Sequence, residues 1–254
     1  MADLLNFFID LLYPRRCRSC GRSTVCGGPV DRSRAADGTD LRGRPTDFFC
    51  DKCAGDIHPI KSPLCTVCGV PFPDGSGDDH PCFECLSQSP GYTAARAALE
   101  YKGTVREAIH LYKYGRLRAM RKFLGPLAAR GAEAFFPDAE IAVAVPLHRR
   151  RLARRGFNQS LFLAEYAALS LDIPLDLYGL SRIRYTRPQV ELSSAEREEN
   201  VKGAFAVEGD VFEGRRVLLV DDVYTTGATV RECAKVLKKA GAEKVYVLTV
   251  ARAT

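Results

Sequence analysis

The sequence predicts an α/β protein, in which a mostly parallel sheet with helices on both faces is preceded by a small cysteine-rich domain. Two observations lead to this fold class. Beyond about Tyr92, short apolar segments that suit buried strands alternate with longer segments that suit helices, which is typical of a parallel sheet covered on both sides. Before that point, eight cysteines fall into four C-x-x-C pairs, the spacing of metal-binding knuckles.

The composition fits a globular protein with room for one large domain and one small one. Of the 254 residues, 46% are hydrophobic and 27% are charged, which rules out wholesale disorder. The 37 basic and 31 acidic side chains leave a net charge of +6, and this favours an anionic partner without naming one. Ten cysteines would suit a disulfide framework in a short secreted chain, but their spacing favours metal.

The first segment, residues 1–16, is predicted to form a helix that docks on the body of the protein. Met1–Tyr13 is apolar at near-helical spacing, carries Asp3 and Asp10, and lacks the basic region and cleavage site of a signal peptide. It is also well short of the roughly 20 apolar residues that span a bilayer. A helix lying in the membrane interface is the alternative. We therefore expect a cytoplasmic protein, with association at the inner face of the membrane as the variant.

The four C-x-x-C pairs predict two structural zinc sites. A two-residue gap lets both thiolates of a pair face one ion, and two pairs complete a tetrahedral S₄ site. Pairing in sequence order is expected, a cross-braced arrangement is the alternative, and disulfides are disfavoured without an export signal. The predicted ligands are Cys17, Cys20, Cys50, Cys53, Cys65, Cys68, Cys82 and Cys85. Of the two remaining cysteines, Cys26 is a substitute ligand for the first site, whereas Cys233 suits the core of a helix.

A segment of different composition interrupts the cysteine-rich domain. Residues 27–46 are rich in Gly, Asp, Arg and Ser and hold few large apolar side chains, so they are predicted to form a flexible insertion. The expected organisation is a docking helix over residues 1–16, a double zinc-ribbon domain over 17–90 and a larger domain over 91–254. Because S₄ zinc has no open position for a substrate, the ribbons are expected to act as a scaffold or docking surface.

The larger domain is predicted to alternate strands and helices. The strands are placed at Ala97–Tyr101, Glu140–Val145, Val217–Val220 and Lys244–Ala251. The helices are placed at Val105–Tyr114, Leu117–Phe136, Asn158–Leu169 and Gly227–Ala240. Ligands of parallel sheets collect at the carboxyl ends of strands, so the loops after Val145 and Val220 are the expected places for a site.

The residues that follow Val220 predict a site for a sugar phosphate. A loop of small residues runs straight into a helix there, so backbone N–H groups, threonine hydroxyls and the helix dipole favour an anion. The loop residues are Thr225, Thr226, Gly227, Ala228 and Thr229. Just before them, Asp221 and Asp222 suit ribose hydroxyls or a ribose-bound Mg²⁺. The lysine of a Walker loop and the glycine spacing of a dinucleotide fold are both missing. A capped helix with incidental acidic residues is the alternative.

The stretch Val217–Thr229 resembles the binding motif for phosphoribosyl pyrophosphate (PRPP) in type I phosphoribosyltransferases, with four apolar residues, two acidic residues and a Thr-Thr-Gly-Ala-Thr loop. With the cysteine pairs, nearly the whole chain resembles the ComF (ComFC/GntX-like) family, which joins a cysteine-knuckle zinc domain to such a phosphoribosyltransferase domain. Further stretches typical of that family are Tyr101-Lys102-Gly103, Lys113-Tyr114-Gly115, Val145–His148 and Arg155–Ser160. The long insertion between Cys20 and Cys50 departs from the family pattern.

This resemblance implies PRPP with Mg²⁺ as the ligand. The residues expected near the pyrophosphate group are Lys113, His148, Arg149 and Arg155. The polar segment 184–200 resembles in position the loop that closes over the site in type I enzymes, and its alternative is an exposed loop followed by a helix capped at Ser193. The candidate catalytic residues are Asp221, Asp222, Arg187 and Arg197. The alternative interpretation of Lys113 is that it is one charge on an amphipathic helix and not a cation positioned in the site.

The arginines after Val145 exceed the number that one pyrophosphate needs. Their position at the carboxyl end of a buried strand favours anion binding over a solvated charged face. The surplus predicts contact with a nucleic-acid backbone, by Arg150, Arg151 and Arg154. Basic residues that would extend this track are Arg116, Arg118, Arg121 and Lys122. Aromatic residues for base stacking are few, namely Tyr112, Tyr114 and Phe157.

Three functions fit these features. The resemblance implies a protein of DNA uptake in natural transformation, which binds PRPP and single-stranded DNA beside a helicase-like partner. A conventional salvage or biosynthetic phosphoribosyltransferase, in which a nitrogenous base displaces pyrophosphate, is the alternative. A non-catalytic PRPP sensor is the third. The sequence shows no clear hood for a base, which favours the first function and leaves the transferase chemistry open.

Overall fold

The computed structural model describes residues 16–23, 48–73, 75, 77–115, 117–186 and 193–254. Several predictions fall elsewhere in the chain. The docking helix before Arg16, the insertion over residues 27–46 and the side chains of Cys26, Arg116 and Arg187 lie outside the described residues.

The predicted parallel sheet is confirmed. Within the described residues it has five strands, all paired in parallel, in the order β1-β7-β6-β2-β3. These strands are β1 (Ala94–Glu100), β2 (Ile141–Ala144), β3 (Leu175–Asp176), β6 (Arg216–Tyr224) and β7 (Lys244–Arg252). A short antiparallel pair stands apart from the sheet and consists of β4 (Leu180–Arg182) and β5 (Phe205–Val207).

Helices cover both faces of the sheet, as the sequence predicts. Those described are α1 (Asp51–Gly55), α2 (Phe83–Ser87), α3 (Gly103–Lys113), α4 (Arg121–Phe135), α5 (Arg149–Arg155), α6 (Gln159–Leu171), α7 (Ser194–Val201) and α8 (Ala228–Lys239). Neighbouring residues of β6 point into separate cores, because Leu218 packs with α4 and α6 whereas Leu219 packs with α8. No helix in the described part of the chain has the length and apolar character to cross a bilayer.

Strand β6 is longer than predicted and ends at Tyr224, beyond Val220. Its pairing with β7 continues to the register Tyr224↔Arg252, so the ladder holds the extra residues in extended conformation. Asp221 and Asp222 therefore lie on a central strand and not in a loop. This corrects the sequence-based placement, and it gives the carboxylates a rigid support.

The arginine-rich segment is also more regular than predicted. It forms α5 and not an open loop, since its Arg, Leu and Ala residues favour a helix. The side chain of His148 caps this helix by accepting a hydrogen bond from Arg150 N at 3.2 Å. Gly156 ends it in a left-handed conformation with φ of 79°. The helix predicted over 117–136 begins with a 3₁₀ turn, Arg118–Met120, before α4.

The cysteine-rich segment covers the free edge of β1. Ile60 N donates to Ala98 O at 3.1 Å, and Glu100 N donates to His58 O at 2.9 Å. On the two faces beside this edge, Cys17 and Cys53 pack into the core that contains α3 and α4, whereas Cys65 and Cys68 pack into the core that contains α8. A protected edge is one that another chain cannot pair with.

Candidate functional site

The eight predicted zinc ligands form two tetrads, paired in sequence order. The first tetrad is Cys17, Cys20, Cys50 and Cys53, and the second is Cys65, Cys68, Cys82 and Cys85. Within each tetrad all sulfur atoms lie within 4.8 Å of one another. Two of the separations between knuckles are 3.7 Å and 3.9 Å, close to the ~3.8 Å edge of a tetrahedral site with Zn–S bonds of ~2.3 Å. The cross-braced and disulfide alternatives are excluded for these residues, all of which are free thiols.

The electrostatics of the second tetrad suit a dication. Burial raises the pKa of Cys65, but N–H groups of Cys82 and Cys68 donate to its sulfur and lower the pKa to about 6. Burial, with the neighbouring Cys65 thiolate also contributing, raises the pKa of Cys68 to about 11. Four thiolates cannot ionise together at such distances unless a cation compensates them. The donor set therefore fits structural zinc.

Cys233 behaves as the core residue that the sequence predicts. Its side chain is fully buried on α8, and burial raises its pKa well above the usual value. Such a thiol packs as a small apolar side chain.

The threonine loop, Thr225–Thr229, connects β6 to α8. Gly227 takes a left-handed conformation there, with φ of 77°, and is the N-cap of α8. Arg231 holds the loop from the helix side, because its Nη1 donates to Thr226 O at 2.8 Å. The first backbone N–H groups of a helix have no partner inside the helix. The loop therefore presents hydroxyls and N–H donors at the carboxyl end of β6, where an anion is stabilised.

The two carboxylates next to the loop differ in their partners. Asp222 is 3% exposed, and its Oδ1 lies 2.8 Å from Lys113 Nζ. Its Oδ2 is buried and has no hydrogen-bond partner among the described residues. Asp221 Oδ1 accepts hydrogen bonds from Ser160 Oγ at 2.8 Å and from Asp222 N at 2.9 Å. A buried oxygen without a partner is costly, so Asp222 Oδ2 is suited to a ligand hydroxyl or a cation.

Burial and the nearby Asp222 carboxylate raise the pKa of Asp221 to about 6. Burial lowers the pKa of Lys113, but the ion pair with Asp222 outweighs it and the pKa is raised. The lysine thus carries its charge at neutral pH and compensates one of the two carboxylates. Lys113 was expected at the pyrophosphate group, and the structure places it on the carboxylate side of the site.

Helix α5 brings its arginines to aromatic side chains. Arg155 lies over Tyr114 at 5.1 Å from the ring centroid, and Arg150 and Arg151 lie over Tyr185 at 5.6 and 5.8 Å. Arg149 and Arg154 are exposed. Burial, with the positive charges of the neighbouring arginines adding to it, lowers the pKa of His148. A neutral imidazole agrees with its role as hydrogen-bond acceptor in the cap of α5.

The expected stacking residues are only partly correct. Tyr112 and Phe157 are buried, so neither ring is open to a base, whereas Tyr114 is 56% exposed. Tyr185, which sequence reasoning missed, is 40% exposed between arginines. An isolated tyrosine in a polar segment carries no sequence signal, and only the fold places it beside α5.

Arg182, on β4, is a second residue that sequence reasoning missed. Its Nη2 donates to Thr186 Oγ1 at 2.5 Å, and its buried Nε has no partner among the described residues. Burial, with the positive charge of Arg151 contributing, lowers its pKa to about 10. Arg182 and Arg151 bind the same short segment, since Arg151 Nη2 donates to Thr186 O at 2.9 Å. The two guanidiniums thus form a partly buried cationic pair.

The polar segment after β4 ends in the capped helix that the sequence offered as one interpretation. Ser193 and Glu196 form a capping box at the start of α7. Glu198 on this helix forms an ion pair with Arg231 on α8, which ties the segment to the threonine loop. Arg197 lies on α7 and is partly buried.

Comparisons with known proteins agree with both parts of this structure. Residues 158–254 match the family described as phosphoribosyl transferase domain, and residues 39–86 match the double zinc ribbon domain. The chain is 33% identical over 226 residues to Competence protein F of Haemophilus influenzae. This alignment covers 82% of this chain and 98% of the relative. It is 34% identical to DNA utilization protein YhgH of Escherichia coli, over 80% of this chain and 90% of the relative. Competence protein ComFC of Bacillus subtilis is 24% identical, over 82% of this chain and 86% of the relative.

Proposed function

This chain belongs to the ComF family, and we propose that it binds PRPP with Mg²⁺ and single-stranded DNA during DNA uptake in natural transformation. The proposal depends above all on one observation, the buried Asp222 carboxylate whose Oδ2 lacks a partner beside the threonine loop. The names of the relatives, which refer to competence and DNA utilization, support the biological setting.

PRPP would bind with its 5′-phosphate at the threonine loop and its pyrophosphate toward α5. Its 5′-phosphate would bind the threonine loop, where N–H groups and hydroxyls meet the start of α8. Its ribose hydroxyls would donate to Asp221 and Asp222, giving Asp222 Oδ2 the partner that it lacks. Mg²⁺ prefers hard oxygen ligands, and Asp221 and Asp222 are the residues that would hold it in the site. It would supply charge neutralisation at the leaving group.

The pyrophosphate end would lie toward α5. His148, Arg149 and Arg155 stay the proposed contacts there. The cationic pair Arg151–Arg182 would add charge, and of these two residues only Arg182 was not predicted from the sequence. Lys113 would act mainly by neutralising Asp222, which lowers the repulsion between the two carboxylates and the highly anionic ligand.

Group transfer is a separate question from binding. In a transfer reaction the bond from the anomeric carbon to pyrophosphate breaks, the electron pair leaves with pyrophosphate, and a nitrogen nucleophile forms the new bond. Arg187 and Arg197 are the proposed lid residues that would stabilise the departing charge. A pyrophosphate-release assay with each common base distinguishes this transferase from the PRPP sensor, which would bind without release.

Single-stranded DNA is the proposed second ligand, and the arrangement around α5 supports it. We call this surface the arginine–tyrosine strip, which comprises Tyr114, Arg150, Arg151, Arg154, Arg155 and Tyr185. Exposed rings between guanidiniums suit bases that stack and phosphates that pair with charge. The partner would be a helicase-like protein on the cytoplasmic side of the membrane, where reduced thiols allow zinc binding.

Calorimetric titration of the full chain with PRPP and Mg²⁺ tests the proposal. The double variant Asp221→Asn, Asp222→Asn keeps the shape of both side chains and removes the charge. We expect its affinity for PRPP to fall at least ~100-fold, because two charge-assisted contacts are lost. The exposed variant Asp210→Asn is the control and keeps full affinity. Equal affinity in the double variant and the wild type would place PRPP elsewhere.

A further inference from the structure

Arg252, at the end of β7, lies between the second zinc site and the threonine loop. It is 7% exposed. Its Nη1 donates a hydrogen bond to Cys68 O at 2.7 Å, and its Nη2 lies 3.7 Å from Cys68 Sγ. The same guanidinium therefore contacts the backbone and the sulfur of a zinc-binding knuckle.

The other side of this guanidinium stacks on Tyr224, 4.1 Å from the ring centroid. Tyr224 is the last residue of β6 and directly precedes the threonine loop. Its hydroxyl shares a 2.7 Å hydrogen bond with Tyr92, and both rings are buried. A Cβ added at Gly227 would clash with the Tyr224 hydroxyl, so this ring supports the left-handed turn of the loop.

We infer that Arg252 is a positioning residue through which zinc at the second tetrad tightens the binding of PRPP to the threonine loop. The inference rests on the proposed function in taking PRPP as the ligand. Zinc fixes the Cys68 knuckle, the knuckle fixes the guanidinium, and the guanidinium holds the Tyr224 ring under Gly227. Because linkage is reciprocal, PRPP tightens the binding of zinc at this tetrad by the same factor.

The first tetrad provides a matched control within the same chain. It lies on the other face of the sheet and adjoins the start of α3, where Thr104 N donates to Asp56 Oδ2 at 3.3 Å. Among the described residues, no hydrogen bond or ring contact joins this tetrad to Arg252 or Tyr224. Loss of its zinc should leave the threonine loop unchanged.

The experiment compares Cys82→Ser with Cys20→Ser in the full chain. Each variant should lose one of two zinc equivalents, measured by metal analysis. We expect faster amide hydrogen exchange in residues 225–231 for Cys82→Ser only, without any ligand. PRPP affinity by calorimetry should fall at least ~5-fold for Cys82→Ser, a typical coupling between two sites, and stay unchanged for Cys20→Ser.

A second variant isolates the connection from the metal. Arg252→Lys keeps the charge but loses the planar stacking and the paired donors, so it should retain both zinc equivalents and still show faster exchange in residues 225–231. Combined with Cys82→Ser, it should add less than the two single effects together. If either variant fails to fold, stepwise chelation of the wild type, with loop exchange followed against zinc occupancy, gives the same readout.

If amide hydrogen exchange in residues 225–231 is unchanged in both Cys82→Ser and Arg252→Lys, the inference is wrong. Equal effects of Cys82→Ser and Cys20→Ser would do so as well, because they would indicate general destabilisation. If the wild type binds no PRPP, the proposed function fails by itself. The ligand-free exchange measurement still decides the coupling in that case.

Discussion

Asp221 is a buried carboxylate whose charge affects the stability of the fold, and it is a proposed ligand-binding residue. It directly precedes Asp222 on β6, with Lys113 paired to Asp222 and Ser160 donating to Asp221. The site therefore holds two carboxylates against one ammonium group. Burial and the neighbouring carboxylate raise the pKa of Asp221, and a cation or hydroxyl donors would compensate the excess negative charge.

The raised pKa predicts how Asp221→Asn changes stability with pH. A carboxyl group whose pKa rises on folding to about 6 stabilises the fold at low pH and loses that contribution as pH rises through about 6. Asn carries no such charge. We therefore expect Asp221→Asn to raise the melting temperature at pH 8, with the difference from wild type shrinking as pH falls below about 6 and vanishing only near the usual carboxyl pKa of 3.8. Thermal unfolding from pH 4.5 to 8.5 measures this difference. A constant or negative difference would contradict the prediction.

At this scale, local sequence patterns predict some site residues and miss others. Asp221, Asp222 and the threonine loop are contiguous, and the C-x-x-C pairs carry their own spacing, so each is visible in the chain. Ser160 lies 61 positions from Asp221, with which it forms a hydrogen bond. No local pattern joins them, because the contact exists only after α6 packs beside β6. Arg182 and Tyr185 were missed for the same reason.

Among the elements, α5 and the segment after β4 form the arginine–tyrosine strip, and this arrangement predicts how DNA binding should respond to substitution. Tyr185→Leu removes an exposed ring, so affinity for oligothymidylate should fall by about tenfold, the value of one stacked base. Tyr178→Leu is the control, because Tyr178 is 83% exposed on the turn before β4 and, among the described residues, is not one of the rings that the arginines of α5 lie over. Fluorescence anisotropy measures both.

The arginines of α5 should instead determine how strongly the affinity for single-stranded DNA depends on salt. Arg150→Gln with Arg154→Gln removes two charges and should lower the slope of log affinity against log salt by about 1–2. Tyr185→Leu should leave that slope unchanged. Identical affinities for both tyrosine variants, or a slope unaffected by loss of the arginines, would remove the strip as the DNA site.

The longer strands of the sheet can be predicted from the sequence, because fully apolar runs such as Val217–Val220 suit strands that are buried on both faces, and such predictions follow from the local pattern alone. The short strands cannot be predicted in this way. Strands β3, β4 and β5 have only two or three residues each and are partly exposed, so they lack a periodic signal. The helix capped at Ser193 is confirmed, since Ser193 and Glu196 have the spacing of a capping box.

In the whole molecule, the cysteine-rich segment forms backbone hydrogen bonds with the edge strand β1 of the sheet. The segment around His58 and Ile60 pairs with the outer edge of β1, and Ala95 N donates to Val67 O at 2.7 Å. Neither ribbon holds many apolar residues of its own, so its fold depends on the metal. Loss of zinc would therefore expose an edge strand that continues directly into a buried five-stranded sheet.

Removal of both zinc ions from the full chain should consequently cause association as well as local unfolding. We expect a chelator to lower the melting temperature, to speed amide exchange in residues 94–100 and to increase light scattering with protein concentration, because a bare edge strand pairs with other chains. Zinc added back early should restore the light scattering of the untreated protein, which controls for irreversible damage. A metal-free protein with unchanged exchange in β1 and no association would show that the edge is protected by packing alone, and that the ribbons serve only as a docking surface.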